Sequence, residues 1–299
     1  MINDSFILHC PAKINLSLLI GKKRFDGFHD LGSIFQTIDI FDEIKLHPHS
    51  SSEKKIKFIS NINSLEWNNE NILYKTVKSL ENNLGITFPF NIELKKKIPM
   101  CGGLGGGSSN AALLLRFAKF FFKVSRKDIF KIALSLGSDV PYFLHSGTCF
   151  VFGRGERIIS SGDLGNYTLD MSFPKTKIST AKAFKTLDSN NINDEINIKN
   201  LFHLYENFKN KNYSNIQKYS KNSFEKYLLS NYNEIRLKYN DLKKKNGVLT
   251  RVSGSGSSIF TIFDNDRGKY KFIDSKEVFN LNEYRWISSS QNYSESKKV

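Results

Sequence analysis

Strand-like alternation and helical periodicity trade places along the first half of the chain. Residues 5–20 carry two β-type pieces around Pro11, residues 34–46 alternate and are rich in β-branched side chains, and residues 55–59 and 88–95 repeat the pattern more briefly. Between them, residues 71–83 read as a helix. In residues 108–122, Ala111, Leu114, Leu115, Ala118 and Phe122 recur at helical spacing behind Ser and Asn side chains suited to a cap. Residues 125–136 predict a second helix, with Ser125 as N-cap, Asp128 in the first turn and Gly137 as the stop. Past Gly153 the texture changes. Residues 167–173 predict a strand, 180–187 a short helix and 189–197 a polar loop; helical material from 198 to 245 then leads to a strand pair at 249–252 and 258–263. This change predicts two domains, 1–160 and 161–299, with a frayed tail from Ser288.

Composition narrows the class. A hydrophobic content of 39% with 13% aromatics belongs to a globular protein. The balance of 44 Lys and Arg against 29 Asp and Glu gives +15, which attracts polyanions, yet Lys and Asn crowd together in the same polar stretches at 190–200 and 209–222. With no Arg-rich stripe and no aromatic RNA-binding signature, nucleic acid is not the expected partner. Three cysteines, Cys10, Cys101 and Cys149, form no C-x-x-C pair, which suits a reducing cytoplasm. The apolar run 6–20 has the look of a signal peptide, but Asp4 precedes it and Lys13 and Asn15 interrupt it, so a strand is expected. No run approaches the roughly 20 apolar residues of a membrane span. A cytoplasmic protein without a membrane partner is the expectation.

The chemistry concentrates in Ile98-Pro-Met-Cys-Gly-Gly-Leu-Gly-Gly-Gly-Ser-Ser-Asn110, where five glycines fall in six positions and run into a helix. Without Cβ atoms, Gly102, Gly103, Gly105, Gly106 and Gly107 can turn N–H groups toward an anion, and the helix N-terminus adds its own unpaired donors. A phosphate cradle is predicted; a flexible Gly/Ser linker is the alternative. The P-loop pattern fails because Ser108, not Lys, follows Gly107, and no register gives G-x-G-x-x-G. Such a loop must recruit a cation from elsewhere. Lys13, inside an apolar strand, is a candidate, since a buried lysine is costly unless an anion meets it; the alternative is a snorkelling edge lysine. Asp139, in a turn after a helix, could accept a proton from a substrate hydroxyl or simply form an Asx turn. Ser108 and Ser109 could hold Mg²⁺ or a phosphate oxygen, or cap the helix. The second glycine segment, 252–258, reads as a tight loop that brings backbone close to a ligand or another loop.

Pro11-Ala-Lys-Ile-Asn-Leu16, the glycine stretch from Pro99 to Ala112, and Ser253-Gly-Ser-Gly256 together resemble the three motifs of the GHMP small-molecule kinases. The resemblance spans nearly the whole chain. Arg24-Phe-Asp-Gly-Phe-His-Asp-Leu31, followed by Ser33-Ile-Phe-Gln36, is similar to the segment marking the branch that phosphorylates a cytidine diphosphate sugar alcohol of isoprenoid precursor synthesis. What the resemblance implies is an α+β GHMP kinase fold, with an N-terminal α/β domain containing a left-handed βαβ unit and a C-terminal ferredoxin-like domain. ATP and Mg²⁺ are the implied cofactors. ATP would lie on Pro99, Met100, Cys101, Gly102, Gly103, Leu104, Gly105, Gly106, Gly107, Ser108 and Ser109, with Asn71 at the adenine and Ser108 assisting the metal. Lys13 and Asp139 match the family's catalytic pair. Asn15, Phe28, His29, Thr180 and Phe184 would bind the acceptor, His29 at the cytosine edge and Phe28 stacked on the ring. Phe28 stands where the family usually has Tyr, and Cys101 where it has a small residue. Another alcohol kinase of the same family, homoserine-like, and a basic nucleic-acid-binding protein on this fold remain the alternatives.

Overall fold

The computed structural model describes residues 4–49, 55–189 and 193–282. Its frame is a long antiparallel hairpin, β1 (Phe6–Lys23) and β2 (His29–Pro48), turned at Gly27 with φ +83°. β1 is buried on both faces from Cys10 to Ile20, which explains its near-continuous apolar sequence. Its parity is not constant. Phe6, Leu8 and Cys10 pack into one core, whereas Ala12, Ile14 and Leu16 pack into another, because the pairing register shifts between Pro11 and Ala12. The shift places Lys13 and Asn15 away from the second core.

The free edge of β2 is shared. Its C-terminal half, 43–48, pairs with β4 (Phe90–Lys95), and its N-terminal part, 31–36, pairs with β5 (Thr148–Gly153). β3 (Phe58–Ser60) lies parallel to β4, with α1 (Ile72–Leu84) as the crossover, and β6 (Arg157–Ser160) closes a hairpin on β5. The sheet runs β3-β4-β2-β5-β6 with β1 on the far edge of β2. Three further helices, α2 (Gly106–Phe121), α3 (Arg126–Leu136) and α4 (Val140–His145), share its core, where Phe6, Phe90, Phe117 and Phe121 interlock at centroid distances of 5.0–5.8 Å.

A second, antiparallel sheet has the order β10-β7-β9-β8, from β7 (Thr168–Ser172), β8 (Leu249–Val252), β9 (Ile259–Phe263) and β10 (Tyr270–Lys271). With it go α5 (Thr180–Ser189), α6 (Ile198–Lys209), α7 (Ile216–Tyr219), α8 (Glu225–Asn231) and α9 (Asn233–Lys243). α10 (Ser275–Leu281), held by a capping box between Asp274 and Glu277, returns to β1. There Asn282 accepts from His9 N at 2.8 Å and donates to His9 O at 3.0 Å.

The strand expected at 55–59 is confined to Phe58–Ser60, while β2 is longer than its apolar centre suggested because its polar ends are held by partners on both edges. Within the polar loop expected at 189–197, residues 190–192 lie outside the described residues, as does the tail expected from Ser288. Among the described residues, no helix is long and apolar enough to cross a membrane.

Candidate active site

The first glycine segment turns through Gly103 (φ +74°) and Gly105 (φ +71°) and winds directly into α2. The helix starts at Gly106, two residues before the start expected from Ser108, and no side chain caps it. The reason is conformational: Gly105 in the left-handed region makes the turn that a Ser or Asn cap would otherwise make. The N–H groups of Gly106, Gly107 and Ser108, in the first helical turn, have no intrahelical acceptor. All three residues line a cavity of about 890 Å³, as do Pro99, Met100, Cys101, Gly102, Gly103, Leu104 and Gly105. Cys101 is exposed and adopts φ +57°. Ser108 is half-buried, and the buried Ser109 Oγ has no hydrogen-bond partner among the described residues.

The second glycine segment meets the first. Ser253 Oγ donates to Gly103 O at 3.0 Å and Ser258 N donates to Gly102 O at 3.2 Å. A Cβ on Gly103 would lie 2.1 Å from Ser253 O, so this position must be glycine for the two loops to touch. From the other side, Lys13 N donates to Leu104 O at 3.0 Å.

A group with no sequence signal stands beneath the loop. Asp42, 0% exposed, accepts from Lys97 N at 2.8 Å, Ile98 N at 2.9 Å and Asn110 Nδ2 at 3.0 Å, and it pairs with Lys96 Nζ. Lys96 also donates to Asn110 Oδ1 at 3.2 Å. This network ties β2, the strand entering the loop and α2 together. Fifty-four residues separate Asp42 from Lys96, and no local pattern joins them.

Lys13 Nζ lies 3.4 Å from Asp139 Oδ2, donates to Asn15 Oδ1 at 2.9 Å and sits 4.5 Å from the Phe35 ring centre. The lysine side chain is 4% exposed and the carboxylate 32%. Asn15 is held in turn by Nδ2 donating to Ser33 Oγ at 3.1 Å. Asp139 occupies the N-cap position of α4, but its side chain makes no capping hydrogen bond, so the Asx-turn alternative is not what the fold uses. The carboxylate instead faces Lys13 on the cavity wall. A Cβ on Gly105 would come within 3.2 Å of Lys13 Cγ, which places the pair against the glycine loop.

The other end of the cavity is lined by Phe28, His29, Thr180, Phe184 and Asp188. His29 Nδ1 lies 2.9 Å from Gly21 O, and its ring packs 5.3 Å from that of Phe184. Phe28 is 47% exposed, with the Arg154 guanidinium 4.9 Å from its ring centre. Thr180 Oγ1 and Ser255 Oγ share a hydrogen bond at 3.1 Å. Asn71 also lines the cavity, but its amide is engaged as the cap of α1, accepting from Leu73 N at 2.9 Å and donating to Glu66 O at 2.9 Å. Asp188, Lys23 and Arg154 were not anticipated; Asp188 joins Lys23 at 2.7 Å and His29 at 2.9 Å across a long separation in sequence.

Burial pushes the Cys10 thiol far up and Cys149 up to about 12, so neither supplies a thiolate near neutrality. Among the described residues no group of three His, Cys, Asp or Glu side chains could hold a metal by itself. The arrangement is suited to a displacement between two small molecules: an anion-binding helix start, a buried ammonium, a partly exposed carboxylate and a separate ringed subsite on one cavity.

Residues 71–147 match the model of the GHMP kinases N terminal domain. The chain is 34% identical to the 4-diphosphocytidyl-2-C-methyl-D-erythritol kinase of Pseudothermotoga lettingae, over 92% of this chain and 98% of that one. It is 37% identical to the enzyme of the same name from Thermosipho africanus, over 91% and 95%. Among solved structures, a crystal structure of 4-(cytidine 5'-diphospho)-2C-methyl-D-erythritol kinase superposes with a TM-score of 0.68 at 24% identity, covering 87% of this chain and 90% of that one. Homoserine kinase from Cytophaga hutchinsonii gives 0.64 at 18%, covering 96% and 94%. At these identities the structural likenesses establish the shared GHMP kinase fold.

Proposed function

The chain belongs to the 4-diphosphocytidyl-2-C-methyl-D-erythritol kinases of the GHMP family, and on that premise we propose that its cavity transfers the γ-phosphoryl group of ATP to the 2-hydroxyl of that acceptor, with Asp139 as general base. The reaction is the ATP-dependent step of non-mevalonate isoprenoid precursor synthesis that the family carries out. The observation that carries the assignment is the Lys13–Asp139 pair, 3.4 Å apart and packed against Gly105.

Residues 1–160 supply the phosphate loop, Lys13, Asp139 and His29, and residues 161–299 supply Thr180 and Phe184 from across the cleft. The triphosphate lies along Pro99–Ser109, received by the first-turn N–H groups of α2. Asp139 takes the proton from the attacking hydroxyl as the new O–P bond forms and the bond to the departing ADP breaks. Lys13 sets positive charge beside the reacting oxygens, and its burial keeps that charge from being screened by water. Asn15 fixes the ammonium in place. No covalent enzyme intermediate is required, since orientation and charge suffice for phosphoryl transfer.

Mg²⁺ fits the residues present. The half-buried Ser108 hydroxyl and the orphaned Ser109 hydroxyl stand at the helix start, and a nucleotide-bound Mg²⁺ takes most of its ligands from phosphate and water. Ser108 would hold it, and the ion would neutralise charge on the phosphate oxygens when bound. His29 reads the cytosine edge, and Phe28 and Phe184 offer ring faces. Asn71 contributes to the adenine end as a wall of fixed shape. Three cysteines without a pairing pattern suit an enzyme of the reducing cytoplasm.

The test is ADP release from purified protein with ATP and Mg²⁺, comparing the diphosphocytidyl methylerythritol acceptor with homoserine, mevalonate and galactose. Turnover is expected with the cytidyl acceptor alone. Asp139→Asn is expected to lower kcat by about a hundredfold or more. Turnover on another alcohol would reassign the acceptor, and an unchanged rate in the variant would remove Asp139 as base.

A further inference from the structure

Residues 220–223, just ahead of α8, lie along the edge of β1 that faces away from β2. Leu18 N donates to Lys221 O at 2.7 Å and Ser223 N to Leu18 O at 2.9 Å, so the strand that carries Lys13 and Asn15 gains a short parallel partner centred on Asn222. Ser220 Oγ donates to Leu16 O at 2.7 Å and Ile20 N to Ser223 Oγ at 2.8 Å, securing both ends of the contact. Asn222 is 6% exposed and its amide reaches the second glycine segment. Nδ2 gives one hydrogen to Val252 O at 2.8 Å and the other to Gly254 O at 2.9 Å, while Oδ1 accepts from Phe224 N at 2.9 Å. Two carbonyls on one side and an N–H on the other fix which amide atom is which.

These bonds close a circuit. It runs from Lys13 N to Leu104 O, from Gly103 O to Ser253 Oγ, from Gly254 O to Asn222 Nδ2, and from residues 221 and 223 back to Leu18 on β1. Val252 is held a second time, by its N–H on Glu225 Oε2 at 2.9 Å, so the part of the segment that depends on Asn222 is Gly254. Gly254 lines the cavity, and a Cβ built on it would stand 3.0 Å from Gly103 O. Asn222 itself does not line the cavity. Resting on the transfer reaction above, we propose that Asn222 is a positioning residue: by fixing Gly254 to β1 it sets where the phosphate loop lies relative to Lys13 and Asp139. Phosphoryl transfer depends on the alignment of donor and acceptor, and a displacement of about 1 Å costs up to about a hundredfold in rate. The N–H groups at the start of α2 belong to the helix and bind the triphosphate whether or not the circuit is closed. Opening the circuit therefore acts on the rate of transfer and not on the affinity for ATP.

The experiment measures, for the full chain, kcat per folded molecule from ADP release with the diphosphocytidyl methylerythritol acceptor, and the dissociation constant of ATP by titration calorimetry. Asn222→Asp keeps the size and the Oδ1 acceptor but sets a carboxylate oxygen against the Val252 and Gly254 carbonyls. It is expected to lower kcat by about tenfold to a hundredfold while changing the ATP constant by less than about threefold. Ser253→Ala opens the same circuit at its next bond without a buried charge, and should lower kcat in the same manner. A circuit already open cannot be opened again, so the double variant should be no slower than the slower single one. Asn282→Asp is the matched control: that amide is 5% exposed and ties His9 of β1 to α10, outside the circuit, and kcat should stay as in the unmodified chain. An undiminished kcat in Asn222→Asp, a loss confined to ATP affinity, an equal fall of kcat in Asn282→Asp, or additive losses in the double variant would make Asn222 a brace of the fold and overturn the proposal. If the unmodified chain releases no ADP with that acceptor, the transfer reading itself fails, and this proposal with it.

Discussion

The contact between the two glycine segments makes Gly103 and Gly107 opposite cases, and exchanging each for alanine separates the needs of the fold from the needs of the ligand. Gly103 has φ +74°, where an alanine costs about 1–2 kcal/mol. Its new Cβ would stand 2.1 Å from Ser253 O and 3.2 Å from Gly256 O. To reach an ordinary contact of 3.4 Å, the facing backbone must retreat by about 1.3 Å, and the bond from Ser253 Oγ to Gly103 O stretches with it. Overpacking of this kind adds about 1–3 kcal/mol. Gly103→Ala should therefore lose about 2–5 kcal/mol. Gly107 lies inside the first turn of α2 and has nothing nearer its missing Cβ than Ile72 Cγ2 at 3.8 Å. Gly107→Ala should gain about 0.5–1 kcal/mol from helix propensity, yet raise KM for ATP about tenfold or more because the methyl group enters the phosphate path. Urea unfolding followed by tryptophan fluorescence reads the first effect and ADP release the second. Wild-type stability in Gly103→Ala would refute the interlock, and an undisturbed KM in Gly107→Ala would move the phosphates off that turn.

Lys13→Met should lower kcat by about a hundredfold or more while shifting unfolding by about 1 kcal/mol or less, since the partly exposed Asp139 can be rehydrated once its partner is gone. A large stability loss with normal turnover would make the lysine purely structural. Asp42→Asn and Lys96→Met should each cost about 3–5 kcal/mol, because each strands a buried partner. Their double variant should cost clearly less than the sum, and additive losses in denaturant titrations would show that the two charges are not coupled.

How far the sequence could be read depended on whether a signal was local. Lys13 stood out because a charge inside an apolar run needs an explanation, and the glycine stretch because its residues are adjacent. The helix start was misplaced because side-chain capping is visible in a sequence, whereas a backbone turn at Gly105 shows only as another glycine. Asp42 and Lys96, or His29 and Asp188, are brought together by the sheet and by α5, and nothing nearby in the chain marks either pair. β5 and β6 went unnoticed because the short apolar run 148–152 resembles a buried helix segment as much as a strand. α10 did carry a capping-box signature in Asp274 and Glu277, but its seven residues hold too few apolar positions to display a period.

The register shift at Pro11 and Ala12 gives the chain's catalytic geometry a dependence on counting. In the hairpin the lysine is aimed by the number of residues that precede it, since each position reverses the side of the sheet. Removing one residue of β1 ahead of the shift would leave the Lys-Ile-Asn triplet untouched, yet exchange the surroundings of Lys13 with those of Ala12 and Ile14. The ammonium would then point into an apolar interior, and an isoleucine would take its place opposite the carboxylate. A single irregular step in the backbone is thus as much a part of the active site as the side chains it orients.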